Sequence, residues 1–135
     1  MHRSMRSFPL ALALTLSCAA VFAQEAANFT ALTACRIDSE RVLLRATFDG
    51  GACQAVEPAQ LAEPRGTIVS VHLPTVNTAQ MCTMQIVPVQ TEQVIEAGEL
   101  IANLDVTVGD PENNQIVHGE VEVEEGNGDC LVSLG

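Results

Sequence analysis

The four cysteines beyond residue 23 are the side chains whose types and spacing most directly imply chemistry. Cys35, Cys53, Cys82 and Cys130 form an even set, and none of them belongs to a C-x-x-C pair of the kind that binds zinc. In a chain exported from the cytosol, an even set of cysteines is typical of disulfide bonds. We expect Cys35 to pair with Cys53, and Cys82 with Cys130, because each bond would join neighbouring strands.

Catalysis near neutral pH would call for a histidine base, and beyond residue 23 only His72 and His118 could supply one. Alternation places both histidines on the polar side of their strands, which is typical of exposed and uncoupled histidines. No serine lies in a G-x-S-x-G motif, and the cysteines are expected to be oxidised. We therefore predict that the protein is not an enzyme, and keep a small enzyme that uses His72 or His118 as an alternative.

Two acidic loops offer the hard oxygen ligands that calcium prefers. Their candidate ligands are Asp110, Glu112, Asn113, Asn127 and Asp129. The spacing matches no known calcium loop, so the main prediction is a protein without a cofactor. A calcium-binding extracellular module is retained as the alternative.

The first 23 residues have the pattern of a cleaved signal peptide. Arg3 and Arg6 precede an apolar run over residues 8–16, and residues 21–23 end in the small-x-small pattern that a signal peptidase cuts. This pattern predicts export to the periplasm or secretion. The run is shorter than the roughly 20 residues that cross a bilayer, so we expect no transmembrane segment.

Cleavage before Gln24 would leave residues 24–135 as a single acidic domain. A less favoured alternative is a lipid anchor on Cys18, which follows the apolar run as in bacterial lipoproteins. The match is imperfect, because Thr15 occupies a position where such signals usually carry an aliphatic residue.

The charge balance of the domain excludes several kinds of partner. Residues 24–135 contain four arginines, no lysine and 17 acidic residues, which leaves a net charge of −13. Such a surface repels phosphate backbones and anionic lipid headgroups, so we predict no nucleic-acid or peripheral membrane binding. Phe29 and Phe48 are the only Phe, Tyr or Trp residues within 24–135, so carbohydrate binding is not expected. The charge suits a basic protein or a cation as a partner, but a surface that serves only solubility is the favoured interpretation.

The spacing of apolar residues beyond the leader predicts strands. Residues 41–48 alternate between apolar and polar except at Leu43, and Asp49-Gly50-Gly51 predicts a turn that would form a hairpin with residues 52–57. Residues 67–73 and 81–90 read as two further strands, with a loop over 74–80. Pro88 lacks a ladder donor and is expected at an edge or a bulge.

The clearest pattern is a long antiparallel hairpin near the end of the chain. Residues 100–108 and 117–123 alternate on either side of a turn at 110–114, and a short strand over 130–134 follows. Six or seven such strands predict an all-β fold, a small antiparallel β-sandwich of immunoglobulin-like size stapled by two disulfides. A small closed β-barrel is the structural alternative.

These observations predict a non-catalytic binding or structural domain that engages another exported protein. Contact is expected through a strand edge or through the acidic side of the last hairpin, at Glu120, Glu122 and Glu124.

Mass spectrometry of the protein recovered without reduction from its exporting host tests the leader and the cysteines together. We expect a chain that begins at Gln24, carries no lipid and is about four hydrogens lighter than the fully reduced chain, since each disulfide removes two hydrogens. A mass that includes Cys18 with attached acyl chains would contradict cleavage before Gln24.

Overall fold

In a computed structural model, the described residues 27–126 and 130 form eight β-strands. They are β1 (Ala31–Arg36), β2 (Arg41–Gly51), β3 (Gln54–Val56), β4 (Gln60–Leu61), β5 (Ile68–Asn77), β6 (Ile86–Glu96), β7 (Asn103–Gly109) and β8 (Gln115–Glu125). The predicted signal peptide, the possible anchor at Cys18 and the final strand beyond Cys130 lie outside these residues. Within them, no helix is long and apolar enough to cross a membrane.

The strands form one sheet in the order β3-β5-β7-β8-β1-β2-β6, and β4 pairs with β5 beyond the end of β3. The pairs β5–β7 and β1–β8 are parallel, whereas the others are antiparallel. The two ends of this order approach each other, so the sheet is a nearly closed barrel. The all-β prediction is confirmed, and the architecture is closer to the barrel alternative than to two stacked sheets.

The interior of the barrel is filled by the alternating apolar residues of the long strands. Along β2 these are the four residues that the sequence pattern assigned to one face, and the facing strands contribute the rest. Leu43, the exception in the pattern, points outward but is only 4% exposed. The largest interior side chains are Phe48, Leu44, Leu73, Leu104, Val42, Val71, Val106 and Val108.

Residues 27–30 run beside β8 and complete the wall between β8 and β1. Ala27 forms a parallel bridge with Val117, and the ring of Phe29 packs edge-on against Phe48 with centroids 6.3 Å apart. Gly119 makes room for this ring, because a Cβ at Gly119 would lie 2.8 Å from Phe29 Cδ2. A side chain here would therefore force Phe29 to move.

The turn predicted at Asp49-Gly50-Gly51 is wrong, because β2 continues through these residues and Gly51 pairs with Ile86. A Cβ at Gly50 would lie 2.6 Å from Gln54 Oε1, so this glycine permits a close approach of β3 to β2. The chain turns at residues 52–53 instead, and β3 then pairs with β5 rather than β2. The predicted hairpin does not form, and the first hairpin joins β1 to β2.

The remaining strand predictions are confirmed in part. The last hairpin is present as β7 and β8, with the turn between them where the sequence predicted it. β5 extends through Pro74 to Asn77, where a loop was expected, and β6 begins at Ile86 rather than Met81. Pro88 lies in β6, which is the last strand of the sheet order, as expected for a residue that tolerates an edge.

Two disulfides are confirmed, but the expected pairing is wrong. Cys35 is bonded to Cys130 and Cys53 to Cys82, with Cα–Cα distances of 5.8 and 5.9 Å. The parallel pairing of β1 with β8 brings Cys35 close to the segment that precedes Cys130. The expectation paired cysteines that are near each other in the sequence, so it did not include this long-range contact. Gly126 lies against this bond, because a Cβ there would overlap both sulfur atoms.

The connectivity changes how much the disulfides contribute. The Cys35–Cys130 bond joins residues 95 positions apart, and the Cys53–Cys82 bond joins residues 29 apart. In the chain-entropy model a closed loop of roughly 100 residues contributes about 4.7 kcal/mol, against roughly 3 kcal/mol for a short loop. The long-range bond is therefore the larger constraint on the unfolded chain.

One end of the barrel is closed by Arg36, a charged residue that is only 6% exposed. Its guanidinium donates to the carbonyl oxygens of Asp38, Ala97, Gly98 and Ile101 at 2.8 to 3.1 Å. Its Nε lies 3.5 Å from a carboxylate oxygen of Glu125. The planar fork of an arginine suits this set of acceptors, because it presents several N–H groups in fixed directions.

Arg36→Lys should destabilise the fold by about 3 kcal/mol, because an ammonium cannot reach all four carbonyl groups and several would stay buried without a donor. Urea unfolding followed by circular dichroism measures this loss. Arg65→Lys is the matched control, since Arg65 is exposed, and it should change stability by less than about 0.5 kcal/mol. Equal midpoints for the two variants would contradict a structural role for Arg36.

Candidate functional site

The outer side of β8 carries the acidic face, which we define as Glu120, Glu122 and Glu124. The intervening residues Val121 and Val123 are partly buried and pack against the core, whereas all three glutamates are exposed. Side chains two residues apart on a strand are about 7 Å apart and project from the same face. The acidic face is therefore a straight row of three carboxylates held on a rigid strand.

Three of the four arginines beyond the leader have partners away from this row. Arg36 closes the barrel end, Arg41 bonds to Asp38 at 2.7 to 2.8 Å, and Arg45 bonds to Glu92 at 3.0 Å. Within residues 27–126 and 130, no ion pair joins an arginine or histidine to the three glutamates. The negative charge of the acidic face is consequently exposed to solvent and to any approaching partner.

Asp38 and Arg41 form an ion pair that shifts the pKa of both side chains. The Arg41 side-chain bond, and then the backbone N–H of Glu40, lower the pKa of Asp38, and the same pair raises the pKa of Arg41. A carboxyl group with a depressed pKa stabilises the fold above its unfolded pKa of 3.8, and this stabilisation is lost as the pH falls through the folded pKa. Both groups are exposed, so solvent screening keeps the contribution small.

Both histidines lie on the outer side of their strands, as the alternation predicted. His72 on β5, Thr107 on β7 and His118 on β8 form one row across three strands. His118 Nε2 bonds to Asp105 Oδ1, and both side chains are partly exposed. This pair lies at the end of the acidic face, beside Glu120.

His72 is the centre of the nearest approach to a catalytic arrangement. Its Nδ1 is 3.0 Å from Thr107 Oγ1, and its Nε2 is 3.3 Å from Asn113 Oδ1. With the proton on Nε2, the ring would donate to Asn113 and accept from the Thr107 hydroxyl, the order found around an activated nucleophile.

His72 and Thr107 lie on the outer surface beside a groove rather than in it. Catalytic groups of this kind lie in a cleft that surrounds the substrate and limits access of water. The nearby groove, about 610 Å³, is lined by Asn113 but by neither His72 nor Thr107. Hydrogen bonding between polar side chains on the outer surface accounts for the contacts, and the enzyme alternative stays untested.

The loop at residues 110–114 contains three of the predicted calcium ligands. In this loop the Asp110 carboxylate bonds to backbone N–H groups of the loop itself. Asp110 Oδ1 accepts the N–H groups of Glu112 and Asn114 at 3.0 and 2.7 Å, and Asn113 takes a left-handed conformation with φ of 66°. Among the described residues, no group of three or more His, Cys, Asp or Glu side chains is placed to hold a metal ion. Asn127 and Asp129 lie outside those residues, so the calcium alternative stays a prediction.

Gln93 lies where the barrel does not close, and its side chain bonds across the gap. The sequence pattern did not predict this contact. Gln93 Oε1 accepts the N–H of Ala59 at 2.7 Å, and Gln93 Nε2 donates to the carbonyl oxygen of Glu57 at 3.1 Å. We call the gap between β6 and residues 57–59 the seam. A signal for it exists in the sequence, because Thr91 and Gln93 are polar residues in an inward row that otherwise continues with Val87, Val89 and Ile95.

Asp110→Ala should lower the free energy of unfolding by about 1 kcal/mol, because two loop N–H groups lose their acceptor. Glu112→Ala, in the same loop, should have little effect, since only its backbone takes part. Thermal unfolding with and without calcium separates this structural role from the calcium alternative. A calcium-dependent rise in the Tm of the unchanged protein, lost in both variants, would establish calcium binding instead.

Comparisons of the chain with models of protein families, with curated protein sequences and with solved structures gave no match.

Proposed function

We propose that this protein is an exported, non-catalytic binding domain whose acidic face contacts a basic region of another exported protein. The observation that carries the proposal is the row formed by Glu120, Glu122 and Glu124. Its carboxylates are exposed, evenly spaced on a strand and without a cationic partner among the described residues.

The overall charge supports a basic partner. A domain with 17 acidic residues and four arginines, of which three have internal partners, surrounds itself with a negative potential. Such a potential speeds the approach of a cationic protein and disfavours anionic ones. Both effects weaken as salt screens the exposed charges.

The spacing of the acidic face supports recognition of an extended segment. Lysine or arginine side chains at every second position of an extended chain repeat at about 7 Å, the same repeat as the three glutamates. Opposite charges at matched spacing allow three ion pairs to form without rearrangement of β8, which lies between β7 and β1.

Export is supported by two features. The leader pattern over residues 1–23 belongs to the sequence, and the two cysteine pairs at disulfide distance fit an oxidising compartment. A partner in the same compartment would be another exported protein, in the periplasm or outside the cell.

The triple variant E120Q/E122Q/E124Q should bind a short oligolysine peptide about tenfold more weakly at low ionic strength, on the order of 1.4 kcal/mol. It should also show a smaller dependence of affinity on salt, because fewer ion pairs form. Isothermal titration calorimetry at two salt concentrations gives both quantities.

The matched control is E40Q/E99Q/E112Q, which removes the same number of exposed carboxylates from loop and turn positions outside the acidic face. This control should lose affinity only through the change in net charge, and therefore much less. If the two triple variants lost affinity equally, net charge alone would explain the binding and the acidic face would have no specific role.

A further inference from the structure

At the seam, β6 presents a series of peptide groups that have no backbone partner among the described residues. Ala97 donates its N–H to the carbonyl oxygen of Glu40 at 2.8 Å, and the antiparallel register of β2 and β6 continues without a shift from there. Peptide groups alternate in direction along a strand. The odd-numbered residues of β6 therefore bond to β2, and the even-numbered ones, from Ile86 to Glu96, face the seam.

The opposite side of the seam is a second strand edge. The carbonyl oxygen of Glu57 and the N–H of Ala59 both point into the gap, where the side-chain amide of Gln93 bonds to each of them. In a parallel sheet, a residue bonds to the carbonyl group before, and to the N–H group after, the residue opposite it. A strand residue that lay opposite Pro58 would therefore bond to these same two groups. The Gln93 side chain thus makes the two hydrogen bonds that the backbone of an inserted strand would make.

The segment that forms this second edge is attached through short strands. β3 pairs with three residues of β5 and β4 with two, and between them Glu57 donates its N–H to the carbonyl oxygen of Pro74 at 2.8 Å while Ala59 packs against the core. Short strands and connecting segments separate from a fold at lower cost than long central strands. The seam can therefore widen by displacement of residues 54–61 without loss of the β2–β6 ladder.

The charge around the seam indicates what would enter it. Glu92 and Glu96 are exposed on the β6 side, where Glu92 is paired with Arg45, and Glu57 and Glu63 are exposed on the other. A second copy of the domain would bring its own surplus of 13 negative charges and would be repelled. An extended segment with basic side chains would be attracted, and its peptide groups would pair with both edges.

We infer that the seam is a strand-insertion site for an extended segment of another exported protein, with small or apolar side chains facing inward and lysine or arginine facing outward. The inference rests on the proposed binding role, but it uses a different surface from the acidic face. Insertion replaces the Gln93 amide by main-chain hydrogen bonds, the mode in which a peptide is added to a sheet.

The probe is a synthetic peptide of alternating lysine and valine with blocked termini, compared with the same peptide N-methylated at its valines. N-methylation preserves the charge but removes backbone donors, so the unmethylated peptide should bind at least tenfold more tightly. Amide hydrogen exchange measured by NMR should then show slower exchange at Gln90, Glu92, Val94 and Glu96, and at Ala59.

A variant of the seam gives an independent test. Gln93→Leu leaves Glu57 and Ala59 without their partner in the closed barrel, so the peptide should bind about fivefold more tightly than to the unchanged protein. Gln115→Leu, at the exposed start of β8 and away from the seam, is the control and should leave the affinity unchanged. A Gln93→Leu affinity that is equal or lower would overturn the insertion site.

The exchange data also separate this inference from the proposed function. Equal affinity for both peptides together with protection confined to β8 would overturn the insertion site and leave binding at the acidic face intact. Absence of binding by either peptide would overturn both proposals. Protection at the seam that survives in E120Q/E122Q/E124Q would establish the seam independently of the acidic face.

Discussion

The buried guanidinium of Arg36 is the contact on which closure of the barrel end depends. Four carbonyl groups from two turns point toward the end of β1, and without the guanidinium those of Ala97 and Ile101 would lose a buried donor. The adjacent Cys35–Cys130 bond fastens the same end of β1 to the last described residue. A cation and a covalent bond next to each other thus hold the two ends of the described chain together.

The small number of cationic side chains also determines the charge of the surface. A chain without lysine has only four arginines beyond its leader, and Arg36, Arg41 and Arg45 are all engaged within the fold. The carboxylates that they do not neutralise are left in water, where charged groups are well solvated and cost little. The acidic face and the acidic borders of the seam other than Glu92, which pairs with Arg45, are therefore consequences of the same distribution of charge.

The sequence was sufficient wherever the pattern is local. Alternation located β2 and the β7–β8 hairpin, and it placed His72, His118 and the three glutamates on the outer side. It failed where the outcome depends on distant partners. Gly50 and Gly51 read as a turn, but they serve a close contact with residues that follow β2, and β5 continues through Pro74. The choice of disulfide partners failed for the same reason, because the β1–β8 pairing cannot be read from either strand alone.

The candidate surfaces differ in how far they could be predicted. A row of glutamates at every second position is visible in the sequence once the strand is recognised, whereas the seam depends on which edges meet when the sheet curls. Thr91 and Gln93 interrupt an inward row, but polar residues in such a row do not reveal what they contact. Only the fold identifies the backbone groups that Gln93 satisfies.

The parallel pairing of β1 with β8 has a consequence for how this chain reaches its native state. The first and last strands described are neighbours, so the wall of the barrel cannot be completed until nearly the whole sequence is available. Contacts between such distant residues form only after a large loss of chain entropy, which slows folding compared with proteins of local topology. Loss of β8 would therefore leave β1 paired on one side only, although the two strands lie near opposite ends of the described residues.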